Sequence, residues 1–160
     1  MEFQQRLQKA IERGQKASVA RIQAERDRVL TEKELQRLHA QYRLELSERI
    51  ESCLGQVADQ FPGFQSESIV DQRGWGAAIS RDDLHLEASG STSSYSRLEM
   101  FIHPFSSSHI LELTAKAAIQ NRELFNRSQF HRLADVDLTS FTQMIDNWAL
   151  EFVEQYAGKS

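Results

Sequence analysis

The hydrophobic period of the chain changes at Pro62-Gly63, and that change limits what each half can fold into. Before it, apolar residues recur every three or four positions, the mark of a helix with one buried face. After it they alternate, the mark of strands. Proline cannot continue a helix and glycine permits the turn that follows, so the boundary carries its own punctuation.

Residues 1–60 contain no proline and only two glycines, Gly14 and Gly55, and are rich in Gln, Glu, Arg, Leu and Ala, all good helix formers. Leu35, Leu38, Tyr42, Leu46, Ile50, Leu54, Val57 and Phe61 form an unbroken stripe. Upstream, Phe3, Leu7, Ile11, Ile22 and Val29 share a face, but Gly14 and Ser18 leave gaps in it. Thr31-Glu32-Lys33-Glu34 has the form of a capping box, with Leu30 before it. No Gly, Pro or Asn lies in 28–34 to make a sharp reversal. The pattern predicts one long N-terminal helix kinked near Thr31, or a helical hairpin turning there.

Beyond Pro62-Gly63, Trp75, Ala77 and Ile79 alternate with small or polar residues, and Leu84 and Leu86 alternate with Asp83, His85 and Glu87. Leu98, Met100 and Ile102 follow, then the longest run, Leu111, Leu113, Ala115, Ala117 and Ile119. Turn-forming residues lie between, at 81–83, 89–94, 104–108 and 120–122. Four or five short strands with short links predict an antiparallel meander. The last element returns to the helical period: Leu138, Phe141, Ile145, Trp148, Ala149, Phe152, Val153 and Tyr156 share one face, with Asp137 as N-cap and Gly158 as a stop. That face must be buried, and the meander offers an apolar side to bury it. The expected fold is α+β: a helical arm over 1–61 and a globular domain over 64–160 with the C-terminal helix packed on the sheet.

Composition narrows the function classes. The 160 residues carry a net charge of -4. The first 60 hold 11 basic against 10 acidic residues and the first 28 hold 7 against 4. That mild N-terminal excess is far from the basic patch that phosphate neutralisation requires, so nucleic acid is not an expected partner. No apolar stretch reaches the length of a membrane span and no signal-peptide pattern opens the chain, so a cytoplasmic protein is expected. Cys53 is the only cysteine, which rules out an internal disulfide and a cysteine-rich zinc site.

Few residues point to chemistry. Asp83, His85 and Glu87 would share one strand face, and two carboxylates with an imidazole suit a divalent metal. The plainer reading is the solvent face of a strand whose Leu84 and Leu86 point inward. His39, His85, His103, His109 and His131 form no metal-binding or catalytic motif. His103 and His109 flank a Pro-Ser loop that could hold a metal or a proton-transfer pair, although a turn is the simpler account. No serine stands in a nucleophile-elbow context. Gly74-Trp75-Gly76 lacks the lysine and the following helix of a phosphate loop and marks close strand packing instead. Cys53 lies beside the buried stripe. Arg6, Lys9, Arg13 and Lys16 form a basic row on the first helix, read as a solvated face.

No cofactor motif is present and enzymatic activity is not indicated. The leading expectation is a non-catalytic interaction protein whose arm pairs, coiled-coil fashion, with a second copy or with a partner helix. Leu35, Leu38, Tyr42 and Leu46 are the expected partner-binding residues, because they lie too far along the helix for the globular part to cover. A ligand or substrate cavity between the sheet and the C-terminal helix is the rival expectation. A small acidic dimeric chaperone for one cognate protein is a third.

Overall fold

A computed structural model of the chain describes residues 2–28, 30–87 and 90–159. It contains two compact units, Met1–Leu35 and Gln36–Ser160. In the first unit, helix α1 spans Phe3–Arg28. Helix α2 spans Glu32–Gln60 and begins on the predicted cap, with the Glu34 N–H donating to Thr31 Oγ1 at 3.2 Å. The N-terminal sixty residues are therefore two helices, separated at the expected Thr31.

In the second unit, β1 (Gln65–Asp71), β2 (Gly74–Glu87), β3 (Gly90–Ile102), β4 (Ile110–Ile119) and β5 (Arg122–Arg132) form one sheet in sequence order. All neighbouring strands are antiparallel. Helix α3 (Leu138–Lys159) follows, capped by Asp137, whose Oδ1 accepts from the Ser140 N–H at 3.3 Å. The α+β meander is as the periods predict, and α3 packs on β3 and β4.

Both helices cover the same side of the sheet. Ser68, Ala77, Met100, Ala115 and Arg127 are successive cross-strand partners and so share one face. Ser68 donates to Glu51 of α2 at 2.9 Å, and Arg127 is paired with Glu151 of α3. Between the layers lie Leu46, Ile50, Leu54, Leu98, Met100, Phe141, Ile145 and Phe152, all essentially without exposure. At about 25 cal/mol per Å² of apolar surface, this layer is the main stabilising element. Phe141, Ile145, Ala149 and Phe152 of α3 are buried in this layer.

Four local expectations are corrected. Residues 81–83 do not turn: β2 runs through them, pairing Asp83 with Ser94 and Leu84 with Ser93. The serines between 91 and 94 accordingly belong to a strand. This part of the β2–β3 hairpin extends past β1, which pairs only to Ser80, and past β4, which pairs from Arg97. Nothing in the sheet flanks it, so Leu84 is 67% exposed rather than directed into a core. Gly158 does not stop α3, which continues to Lys159. The Gln120-Asn121 link is a two-residue hairpin turn with both residues at positive φ (50° and 70°), the geometry that matches strand twist.

Candidate functional site

The expected partner-binding residues divide. Leu35, Leu38 and Tyr42 are half-buried. Leu46 is 1% exposed and belongs to the core under the sheet, so its side chain is already covered by its own chain. Ile50, Leu54 and Val57, further along the same stripe of α2, are buried with it.

Of the metal candidates, Asp83 Oδ1 is held by Arg81 Nε at 2.7 Å. The side chains of His85 and Glu87 lie outside the described residues. Among the described residues, no group of three His, Cys, Asp or Glu side chains is placed to hold a metal ion.

The histidines flanking the Pro104–Ser108 loop take separate partners. His103 Nε2 stands 2.6 Å from Thr114 Oγ1, which is 2.7 Å from Ser128 Oγ, and His103 Nδ1 is 3.6 Å from Glu112. A base beside a hydroxyl, with a carboxylate behind it, is the arrangement that activates nucleophiles. Here the hydroxyl in contact with the base is only 5% exposed, on a sheet face, so it is a cross-strand latch between β4 and β5. His109 lies tilted against Phe105, ring centroids 5.7 Å apart, and His39 meets the same ring edge-on at 5.7 Å. His39 also hydrogen-bonds the His103 carbonyl through Nε2 at 3.0 Å, which fixes the Nε2–H tautomer if the ring is neutral. Burial first, and then Arg43, hold the His39 ring below the usual imidazole range against that hydrogen bond.

The sheet face opposite the helices carries an ionic ladder: Glu67–Arg97 at 2.9 Å, Arg97–Glu99 and Arg73–Glu99 at 3.2 Å, and Arg73–Asp71 at 3.1 Å. Arg73 also lies over the Phe101 ring, 5.7 Å from its centroid. These long side chains cover Ile69, Ala78 and Phe101, which are buried on the face opposite α2 and α3.

A groove of about 390 Å³ runs between α2 and α3, lined by Arg49, Cys53, Gln56, Val57, Leu150 and Val153 among others. That volume falls within the range of ligand and peptide sites. Arg49 bridges it, donating to Asp146 through Nε at 3.1 Å and Nη2 at 2.6 Å. Burial pushes the Cys53 thiol up, with Asp146 adding to the shift and Arg49 opposing it, so Cys53 is a protonated wall residue rather than a reactive thiolate. Leu150 is 63% exposed on the rim. Sequence periodicity did not single it out; the available signal was one leucine lying off the apolar face of an otherwise clean amphipathic helix.

Comparison with protein-family models, curated proteins and solved structures yields no match to this chain. Among the described residues no helix is long and apolar enough to cross a membrane.

Proposed function

We propose that this chain is a non-catalytic protein–protein interaction module that pairs with a second copy of itself through its helical half. One observation carries the reading: Phe3, Leu7, Ile11, Val19 and Ile22 on α1 are all exposed, Phe3 to 76%. Burying such a side chain fully is worth about 1.5–3 kcal/mol, and soluble monomers keep contiguous apolar patches small. The half-buried Leu35, Leu38 and Tyr42 add to the apolar surface of the same half. A two-fold arrangement is the simplest cover, because each surface is supplied twice. The reading assigns the chain to the cytoplasm, where a lone thiol such as Cys53 stays reduced.

Light scattering tests it. The unmodified protein is expected to be a dimer, and replacing Leu35 and Leu38 together with Glu is expected to give a folded monomer with the same circular dichroism. A monomer at about 100 micromolar, a concentration at which even a weak pairing of about -6 kcal/mol would be populated, refutes the reading.

A further inference from the structure

We propose that the groove between α2 and α3 seats α1 of a second copy, laid antiparallel to α2, so that two chains exchange arms. This rests on the self-association reading above and names the surface that receives the arm.

Three independent features converge on that occupant. The first is reach. At about 100° per residue, Arg49, Cys53, Gln56 and Gln60 of the groove wall lie on one stripe of α2, and Leu38 and Tyr42 fall on the same stripe upstream. From Leu38 to Gln60 the stripe runs about 33 Å, and the α1 row from Phe3 to Ile22 runs about 28 Å. An amphipathic helix lying in an apolar groove through residues spaced three or four apart is a recurrent mode of recognition.

The second is register. Set antiparallel with Ile22 beside Tyr42 and Phe3 beside Gln60, the arm brings Ile11 to Cys53. Gly14 and Ser18, the gaps in the arm's apolar row, then fall opposite Arg49 and Glu45. Arg49 and Asp146 are the ion pair that crosses the groove, so the missing side chain leaves room where the groove is charged and filled. Within the chain nothing stands within 4 Å of a β-carbon built on Gly14, and the residue is mid-helix without need of a positive φ. Its own helix gives no steric reason for glycine there; a partner surface does.

The third is charge. Arg6, Lys9, Arg13 and Lys16 are exposed on α1, while Glu45, Glu48 and Asp59 are exposed on α2 and Glu154 on α3, the two helices that form the groove. The unit Met1–Leu35 holds 8 basic and 6 acidic residues, the unit Gln36–Ser160 holds 11 and 17, so the arm is +2 and the globular unit -6. Arm against arm would bring like charges together; arm in groove brings opposite ones.

The natural Cys53 makes the register testable by disulfide trapping in the full-length chain. Ile11→Cys and Leu7→Cys alter exposed helix positions and leave the fold intact. Under oxidation at alkaline pH, where the raised Cys53 thiol ionises, at least one of them is expected to give a covalent dimer that disappears when Cys53→Ser is added. Gly14→Leu, which extends the apolar row of α1, is expected to weaken the dimer at least ten-fold by striking the Arg49–Asp146 crossing. A cross-linked dimer that survives Cys53→Ser, or a Gly14→Leu dimer that tightens, would mean that arms pair with arms: the groove assignment fails and self-association stands. A Cys53 disulfide closed within one chain, or no Cys53-dependent product from either variant, also overturns it. An unmodified protein that is monomeric by light scattering overturns both.

Discussion

Gly76 stands directly opposite Phe101 in the β2–β3 ladder, and a β-carbon on it would lie 1.9 Å from the Met100 carbonyl oxygen and 2.6 Å from the Phe101 Cα. The two strands approach so closely because nothing projects from Gly76. Ile69, its partner on β1, and Phe101, its partner on β3, are both buried in one cluster with Ala78 on that otherwise polar face. An aromatic residue beside a strand glycine restores the packing that the missing side chain gives up.

Gly76→Ala is expected to force the backbones apart rather than fill a void. Overpacking against rigid backbone costs about 1–3 kcal/mol and sometimes more, which for a chain of this size lowers the melting temperature by roughly 2–12 °C. Calorimetry on the variant checks it. A melting temperature within a degree of the unmodified protein would show that the strands can part without cost.

Leu46 and Leu44 make a paired test of where α2 meets the core. Leu46 is buried and Leu44 is exposed two positions away. Leu46→Ala is expected to cost about 2–5 kcal/mol through lost transfer energy and a residual cavity, while Leu44→Ala changes stability by about half a kcal/mol or less. Leu46→Ala should leave the affinity between folded copies unchanged, because its side chain is inside one chain. Equal stability of the two variants in urea would contradict the burial.

Those two leucines also show what periodicity could and could not reveal. The stripe from Leu35 to Phe61 correctly identified one helix face, but not the point along it at which the sheet begins to cover that face. That point depends on where β2 and β3 lie in space, information no helical period contains. Leu84 failed in the opposite way: its alternation read as a strand, which it is, yet inward burial required a flanking strand or helix that the long β2–β3 ribbon does not have there. β1, Gln-Ser-Glu-Ser-Ile-Val-Asp, and β5 carry too many polar residues for alternation to mark them, because edge strands face water on more sides. The Thr31 cap, the Asp137 cap and the Gln120-Asn121 turn were legible because each is decided by side chains within four residues of itself. The groove was not, since its walls are almost a hundred residues apart in sequence.

Deleting residues 2–30 is expected to leave the unit Gln36–Ser160 folded. Its core residues, from Leu46 to Tyr156, all lie outside the deletion, and Thr31 remains to cap α2. Measured at a few micromolar, where pairing adds little stability, the melting temperature should fall by only a few degrees, equivalent to about 1 kcal/mol. Loss of cooperative unfolding would show that the arm is part of the fold itself.

His39 sets a pH dependence whose direction follows from its surroundings. The ring is buried, and burial is the largest influence on it; Arg43 also opposes a positive charge, and only the hydrogen bond to the His103 carbonyl favours one. The folded protein therefore holds this proton less tightly than the unfolded chain, whose histidines titrate near about 6.5. Above that value both states carry a neutral ring and His39 adds no slope. As pH falls through it the unfolded chain takes up a proton that the folded state refuses, so stability drops with the falling pH until the folded ring is protonated as well. The melting temperature should be level from about pH 8 to 7 and decline from about pH 6.5 to 5.5, before most carboxylates begin to titrate. His39→Gln retains a side-chain donor for the His103 carbonyl and removes the titration. It should be the less stable protein at pH 7.5 but show a shallower decline on acidification, and parallel pH curves for the two proteins would rule His39 out as the source.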